Sequence, residues 1–324
     1  MVEKSARETA PPIQPRSEDL DFDLDRALRS VVALRSVIPI DAFTASILGT
    51  ERTGSGVVIG DSGLVLTIGY LIAEAEAIWL TDAAGRVTPA HALAYDQESG
   101  FGLVQALGRL DLPALALGRM SAAKIGDPVV VAAGGRGQSI SARLAGKQEF
   151  AGYWEYLLEE AAFTAPAHPF WGGAAVIGQN GKLLGIGSLH VQQASEDGDN
   201  LGLNMIVPID LLPPILDDLL AYGRVNKPPR PWLGLYSGEG GGGIVVVDVA
   251  EDGPAAKAGL QRGDVISAVR DSSVDGLADF YRKIWRSGPA GVEIPIEIVR
   301  DGRSRWLRIK SADRESLLKK PRLQ

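Results

Sequence analysis

Gly253-Pro254-Ala255-Ala256-Lys257-Ala258-Gly259-Leu260-Gln261-Arg262-Gly263-Asp264-Val265-Ile266 reads as a short helix near 254–258, a glycine-bounded turn and the start of a strand over 265–269. Toward the C-terminus a second helix is predicted around 277–285, followed by a hairpin turned at Asp301-Gly302. Toward the N-terminus lie a strand over 244–249, a flexible glycine loop at 238–243 and a strand near 232–236. Before these comes Asn226-Lys227-Pro228-Pro229-Arg230-Pro231, whose prolines hold the chain extended. A small β-rich module with two helices is therefore predicted behind a domain boundary.

The segment before that boundary has a different texture. Between residue 31 and about residue 205, short β-branched runs recur, punctuated by turns. Runs at 55–59 and 64–68 flank Asp61-Ser62-Gly63, and the run at 77–81 precedes Asp82-Ala83-Ala84-Gly85. Further strands are predicted at 114–117, 128–133 and 182–188. Many short strands with glycine-bearing turns indicate an antiparallel sandwich or barrel. A helix is expected from Ser17, with Ser17 as cap, and another over 208–222, broken early by Pro213-Pro214.

The 324 residues are 45% hydrophobic and include 39 glycines and 19 prolines, enough for two or three compact units. A net charge of −7 draws the molecule neither to nucleic acid nor to an anionic membrane. The absence of cysteine excludes disulfides and thiolate metal sites. Residues 1–23 contain no apolar run suited to a secretory signal, and no stretch approaches the ~20 apolar residues of a membrane span. With Met1 as the natural start, the expectation is a cytoplasmic protein. The domain plan is a disordered tail over 1–16, a β-rich domain with an N-terminal helix over 17–225, a linker over 226–231, the small module over 232–312 and a tail over 313–324.

The Gly253 to Ile266 segment closely resembles the S-P-A-A-x-A-G-L-x-x-G-D-V-I signature of bacterial PDZ domains. Trp232-Leu233-Gly234-Leu235 is similar to the loop whose backbone amides hold a peptide's terminal carboxylate in that family, with Tyr281 and Ile284 expected to line the side-chain pocket. A PDZ module behind a β-rich domain resembles the HtrA/Deg family of trypsin-like proteases. Gly54-Ser55-Gly56-Val57-Val58-Ile59 with Gly63-Leu64-Val65-Leu66-Thr67 matches the family opening, and Leu117-Gly118 and Ile125-Gly126-Asp127-Pro128-Val129-Val130 keep the register. The resemblance implies a mainly β chain, a trypsin-like double β-barrel followed by a PDZ domain.

The same alignment locates the catalytic triad. Family members continue the opening with N-N-H-V-V, where this chain has Ile68-Gly69-Tyr70-Leu71-Ile72, so Tyr70 holds the histidine position. D-x-x-T-D-L-A-V-L falls on residues 96–104 and puts Gly100 at the aspartate. N-P-G-N-S-G-G-P-L falls without gaps on residues 168–176 and puts Gly172 at the serine. Triad chemistry needs a nucleophile, an imidazole base and an orienting carboxylate. The sequence reading is accordingly of a pseudoprotease rather than an enzyme.

That reading has the protein bind peptides or protein C-termini through its PDZ module, as a scaffold or regulator, with trimerisation implied by the resemblance and with no cofactor, metal, nucleic acid or membrane. An active serine-type endopeptidase with an unrecognised constellation, or a chaperone-like holdase, are the alternatives. Residual features read as structure: His168 as an exposed or hydrogen-bonded loop histidine, Glu155, Glu159 and Glu160 as one solvated acidic cluster, and Glu196, Asp197 and Asp199 as another that begins like a calcium loop but leaves it incomplete.

Overall fold

The computed structural model describes residues 13–134, 138–194, 200–240 and 243–320, which form two closed six-stranded barrels and an open sheet. The first barrel joins β1 (Val31–Val37), β2 (Glu51–Gly60), β3 (Leu64–Ile68), β4 (Ala77–Thr81), β5 (Val87–Tyr95) and β6 (Phe101–Ala106) in the order β1-β2-β3-β6-β5-β4. The second joins β7 (Pro128–Ala132), β8 (Ser139–Gly152), β9 (Tyr156–Ala165), β10 (Ala175–Ile177), β11 (Leu183–Ala194) and β12 (Asn200–Pro208) in the order β10-β11-β12-β9-β8-β7. Closure leaves no unpaired edge. In β4 the period of two is plain, with Ile78 and Leu80 buried between half-exposed Ala77, Trp79 and Thr81. The apolar core of the first barrel continues into the second through Ala175, Ile177, Ile186 and Val207, so the barrels share one interior.

The open sheet contains β13 (Leu235–Gly240), β14 (Gly243–Val249), β15 (Val265–Val269), β17 (Glu293–Arg300) and β18 (Arg303–Lys310) in that order, with β16 (Ser272–Ser273) paired to β15. Five α-helices complete the described residues: α1 (Leu24–Arg29), α2 (Ala45–Leu48), α3 (Pro213–Tyr222), α4 (Pro254–Lys257) and α5 (Leu277–Arg286). The buried face of α5 carries Leu277, Phe280, Tyr281 and Ile284, the i, i+3, i+4, i+7 spacing of an amphipathic helix, lies against β13 and β15 and shares one apolar cluster with Ile294, Ile296 and Ile298 of β17.

Several local expectations change. The first α-helix begins at Leu24 and is capped by Asp23, whose carboxylate accepts the Arg26 N–H at 2.9 Å; Ser17 opens only a 3-10 turn. Pro213 and Pro214 start α3 rather than break it, since a proline in the first turn forfeits no helical hydrogen bond. The run at 114–117 forms no strand and makes only a bridge from Leu117 to Leu183. Most of the expected glycine loop at 238–243 is paired backbone in β13 and β14, with 241–242 outside the described residues. The expected tail at 1–16 lies mostly outside them, and Asp197 and Asp199 lie wholly outside. Residues after β18 turn back to the first barrel, where the Lys319 N–H donates to Glu74 at 2.9 Å.

Candidate functional site

The turn after β3 brings Tyr70 across the junction of the barrels to the loop before β10. Its hydroxyl donates to the Ser188 carbonyl of β11 at 2.8 Å. A Cβ added to Gly172 would meet the Tyr70 hydroxyl at 2.9 Å, so the phenol stands where a side chain at 172 would project. Burial pushes the Tyr70 phenol far above its ordinary range, which keeps it a neutral hydrogen-bond donor. Gly100, at φ +85°, receives the Gly69 N–H on its carbonyl at 2.7 Å, and a Cβ there would meet the Tyr156 hydroxyl at 2.9 Å. The structure therefore brings Tyr70 and Gly172 together and sets Gly100 behind the Tyr70 turn.

The loop leading to Gly172 is held from within. His168 is buried, its N–H donates to the Asn204 side-chain oxygen at 2.6 Å, and its Nδ1 accepts the Phe170 N–H at 2.9 Å. Burial lowers the imidazole's proton affinity, consistent with a neutral ring. The Phe170 amide, two positions before Gly172, is thus already bonded, while the Phe170 side chain is exposed. These three positions offer one half-buried phenol and two glycines. Beside them lies a cleft of about 310 Å³, lined by Tyr70, Gly100, Leu189, Trp154, Trp232 and Tyr236 among others. Its walls come from both barrels and from the open-sheet module. Aromatic walls with few polar groups suit an apolar segment of polypeptide.

The second candidate site is the turn into β13. Gly234 sits at φ +80°, a conformation that favours glycine, and this aligns three successive amides. The Leu233, Gly234 and Leu235 N–H groups all donate to one carboxylate, at 3.0, 2.7 and 2.8 Å. Trp232 stands aside, its N–H donating to the Ala312 carbonyl at 3.0 Å and its ring edge-on to Phe43. The carboxylate belongs to Glu155, at the tip of the β8–β9 hairpin. Glu155 is therefore no solvated surface acid, being only 5% exposed. Burial pushes its carboxyl up to about 7 against the opposing pull of the Leu235, Leu233 and Gly234 amides.

The hairpin continues this contact along the groove between β13 and α5. The Ser237 N–H donates to the Tyr153 carbonyl at 2.8 Å, and the Tyr281 hydroxyl donates to the Gly152 carbonyl at 2.7 Å. Leu157 enters the apolar cluster that holds Leu233, Leu235, Tyr281 and Ile284. Arg282 binds Glu149 on one arm of the hairpin and Glu159 on the other, so α5 grips both arms. Tyr281 and Ile284 are fully buried within that same apolar cluster. Glu155, Leu157 and Arg282 are the participants that sequence reasoning missed.

Comparison with known proteins sets this architecture in context. Residues 54–186 match the trypsin-like peptidase domain and residues 220–310 the PDZ domain. A probable periplasmic serine endoprotease, DegP-like, of Pseudomonas fluorescens is 28% identical over 271 residues, 78% of this chain and 54% of the relative. The serine endoprotease DegS of Escherichia coli is 28% identical over 288 residues, 81% of this chain and 77% of the relative. Among solved structures, the HtrA-type protease AlgW with decapeptide superposes with a TM-score of 0.52 at 23% identity, covering 92% of this chain and 98% of that one, a likeness of fold. The chain spans about half the length of the DegP-like relatives it matches.

These findings correct one expectation. The inference from Tyr70, Gly100 and Gly172 that the chain is not an enzyme is overturned by relatives, 28% identical over 78% and 81% of this chain, that are named serine endoproteases. The DegP-like relatives are named as periplasmic, which lends the cytoplasmic expectation no support. Among the described residues no cluster of His, Asp or Glu is arranged to hold a metal, and no helix is long and apolar enough to cross a membrane.

Proposed function

We propose that the chain, whose residues 54–186 match the trypsin-like peptidase domain and 220–310 the PDZ domain, is a protease of the HtrA/Deg type that recognises polypeptides by their carboxyl termini at residues 233–235. The observation that supports this most is the convergence of the Leu233, Gly234 and Leu235 N–H groups on a carboxylate, with the Ser237 N–H next along the same strand. Three donors in a row neutralise an anion, and a strand edge beyond them accepts an extended chain by ladder pairing.

Free-acid peptides with an apolar last residue should bind residues 228–312 at least about tenfold more tightly than their amides, because charge-assisted bonds contribute roughly 1.5–3 kcal/mol each. Titration calorimetry checks this; equal affinities would refute it. Peptide hydrolysis is a second reading, favoured by the names of the relatives. Its machinery would draw on groups other than the Tyr70 phenol and the two glycines. Steady release of new amino termini from unfolded casein, with labelling by a fluorophosphonate, would support it. Assembly into trimers belongs to the same family-based proposal and is checked by sedimentation.

A further inference from the structure

We propose that the tip of the β8–β9 hairpin is an internal ligand of this chain's own PDZ groove, which an incoming carboxyl terminus must displace. The inference rests on reading residues 233–235 as a C-terminus reader.

Ordinary domain packing would give scattered contacts, whereas here the recognition elements are occupied in the order a peptide would occupy them. A carboxylate fills the three-amide loop at 233–235. Two residues further along the strand, the Ser237 N–H takes a main-chain carbonyl from Tyr153, the alternation by which one strand pairs with another. Leu157 supplies an apolar side chain to the cluster beside the loop. The tip holds Glu155 at φ +57°, a left-handed conformation uncommon for a glutamate, and this turn aims the side chain into the loop. A side-chain carboxylate thus stands in for a main-chain terminus while the chain continues to Tyr156.

The site resembles a displaceable contact more than a fused core. The contact is concentrated at the tip, with Ala151 and Leu157 packing on the module's apolar cluster, and the arms of β8 and β9 remain paired to each other beyond it. The grip of Arg282 on Glu149 and Glu159 lies at the partly exposed margin, where ion pairs are weak.

The test uses the full chain, its Glu155→Ala and Arg282→Ala variants, and a pool of fluorescein-labelled octapeptides with free or amidated C-termini. Glu155→Ala should bind the free-acid pool at least about tenfold more tightly than the unaltered chain, and Arg282→Ala should lie between them. Hydrogen exchange should show the Leu233, Gly234 and Leu235 amides losing at least about tenfold of their protection in Glu155→Ala. Equal peptide affinity in all three proteins, or unchanged amide protection, would overturn the inference and leave C-terminus reading standing. Lost protection without preference for free acids in any protein would instead overturn C-terminus reading, and the inference with it. Arg282→Ala keeps the test decisive if Glu155→Ala folds poorly, since it alters only a surface side chain.

Discussion

Tyr70 and Gly172 define each other's space. Because a Cβ at 172 would stand 2.9 Å from the Tyr70 hydroxyl, Gly172→Ser should destabilise the fold by about 1–3 kcal/mol, the usual cost of overpacking. Tyr70→Phe removes the bond to the Ser188 carbonyl and should cost about 1 kcal/mol. The double variant should cost less than the sum of the two, because the phenyl ring frees the space the serine needs; chemical denaturation of the four proteins checks this, and strict additivity would refute it. Each segment was legible by itself as a glycine-bearing motif, over 54–72 and over 168–176. Their contact was not, since Tyr70 and Gly172 lie far apart in the chain and nothing in either segment signals the other.

The β8–β9 hairpin shows where legibility ends at the level of elements. Its strands follow from alternating burial, but Glu155 finds its partners 78 to 80 positions away, on backbone amides that any sequence possesses. A carboxylate bound by backbone carries no residue pattern to find. The groups facing it are Tyr281 of α5, Tyr236 of β13, Tyr156 of β9 and the Arg314 cation. The three phenols are pushed upward by burial and stay neutral below pH 9. Glu155 is the carboxyl bound to the loop amides, raised from an ordinary value of 4.5 to about 7 in the docked tip, while Glu315 on the same cavity, also raised by burial, makes no bond to the loop. Docking stability is fully present below about pH 4.5 and is lost as pH rises through about 7. The free-acid peptide pool should accordingly bind the unaltered chain several-fold more tightly at pH 8 than at pH 5, and Glu155→Gln should flatten that dependence. A pH-independent affinity in the unaltered chain would count against it.

At the scale of the whole molecule, the docked tip ties the open sheet to the second barrel, while Arg314 and Lys319 tie the C-terminal segment to the first. The mainly β class was readable from glycine-punctuated strands, and the small module from its motif at 253–266. The mutual embrace of the domains was not, because it is written in few side chains. Calorimetry should find one dominant unfolding transition for the unaltered chain and two resolved transitions for Glu155→Lys, whose reversed charge cannot enter the three-amide loop. A single transition in both would show that the tip contributes little to holding the domains together.

The short path from β8 into the groove has a consequence for dilution. A tethered competitor keeps the same local concentration however sparse the protein becomes, commonly in the millimolar range for a short tether. Free C-termini at low abundance would then leave the groove closed, and opening would set in only where such ends accumulate. Geometry of this kind converts a binding site into a threshold, with the threshold written in the reach and fit of the hairpin tip.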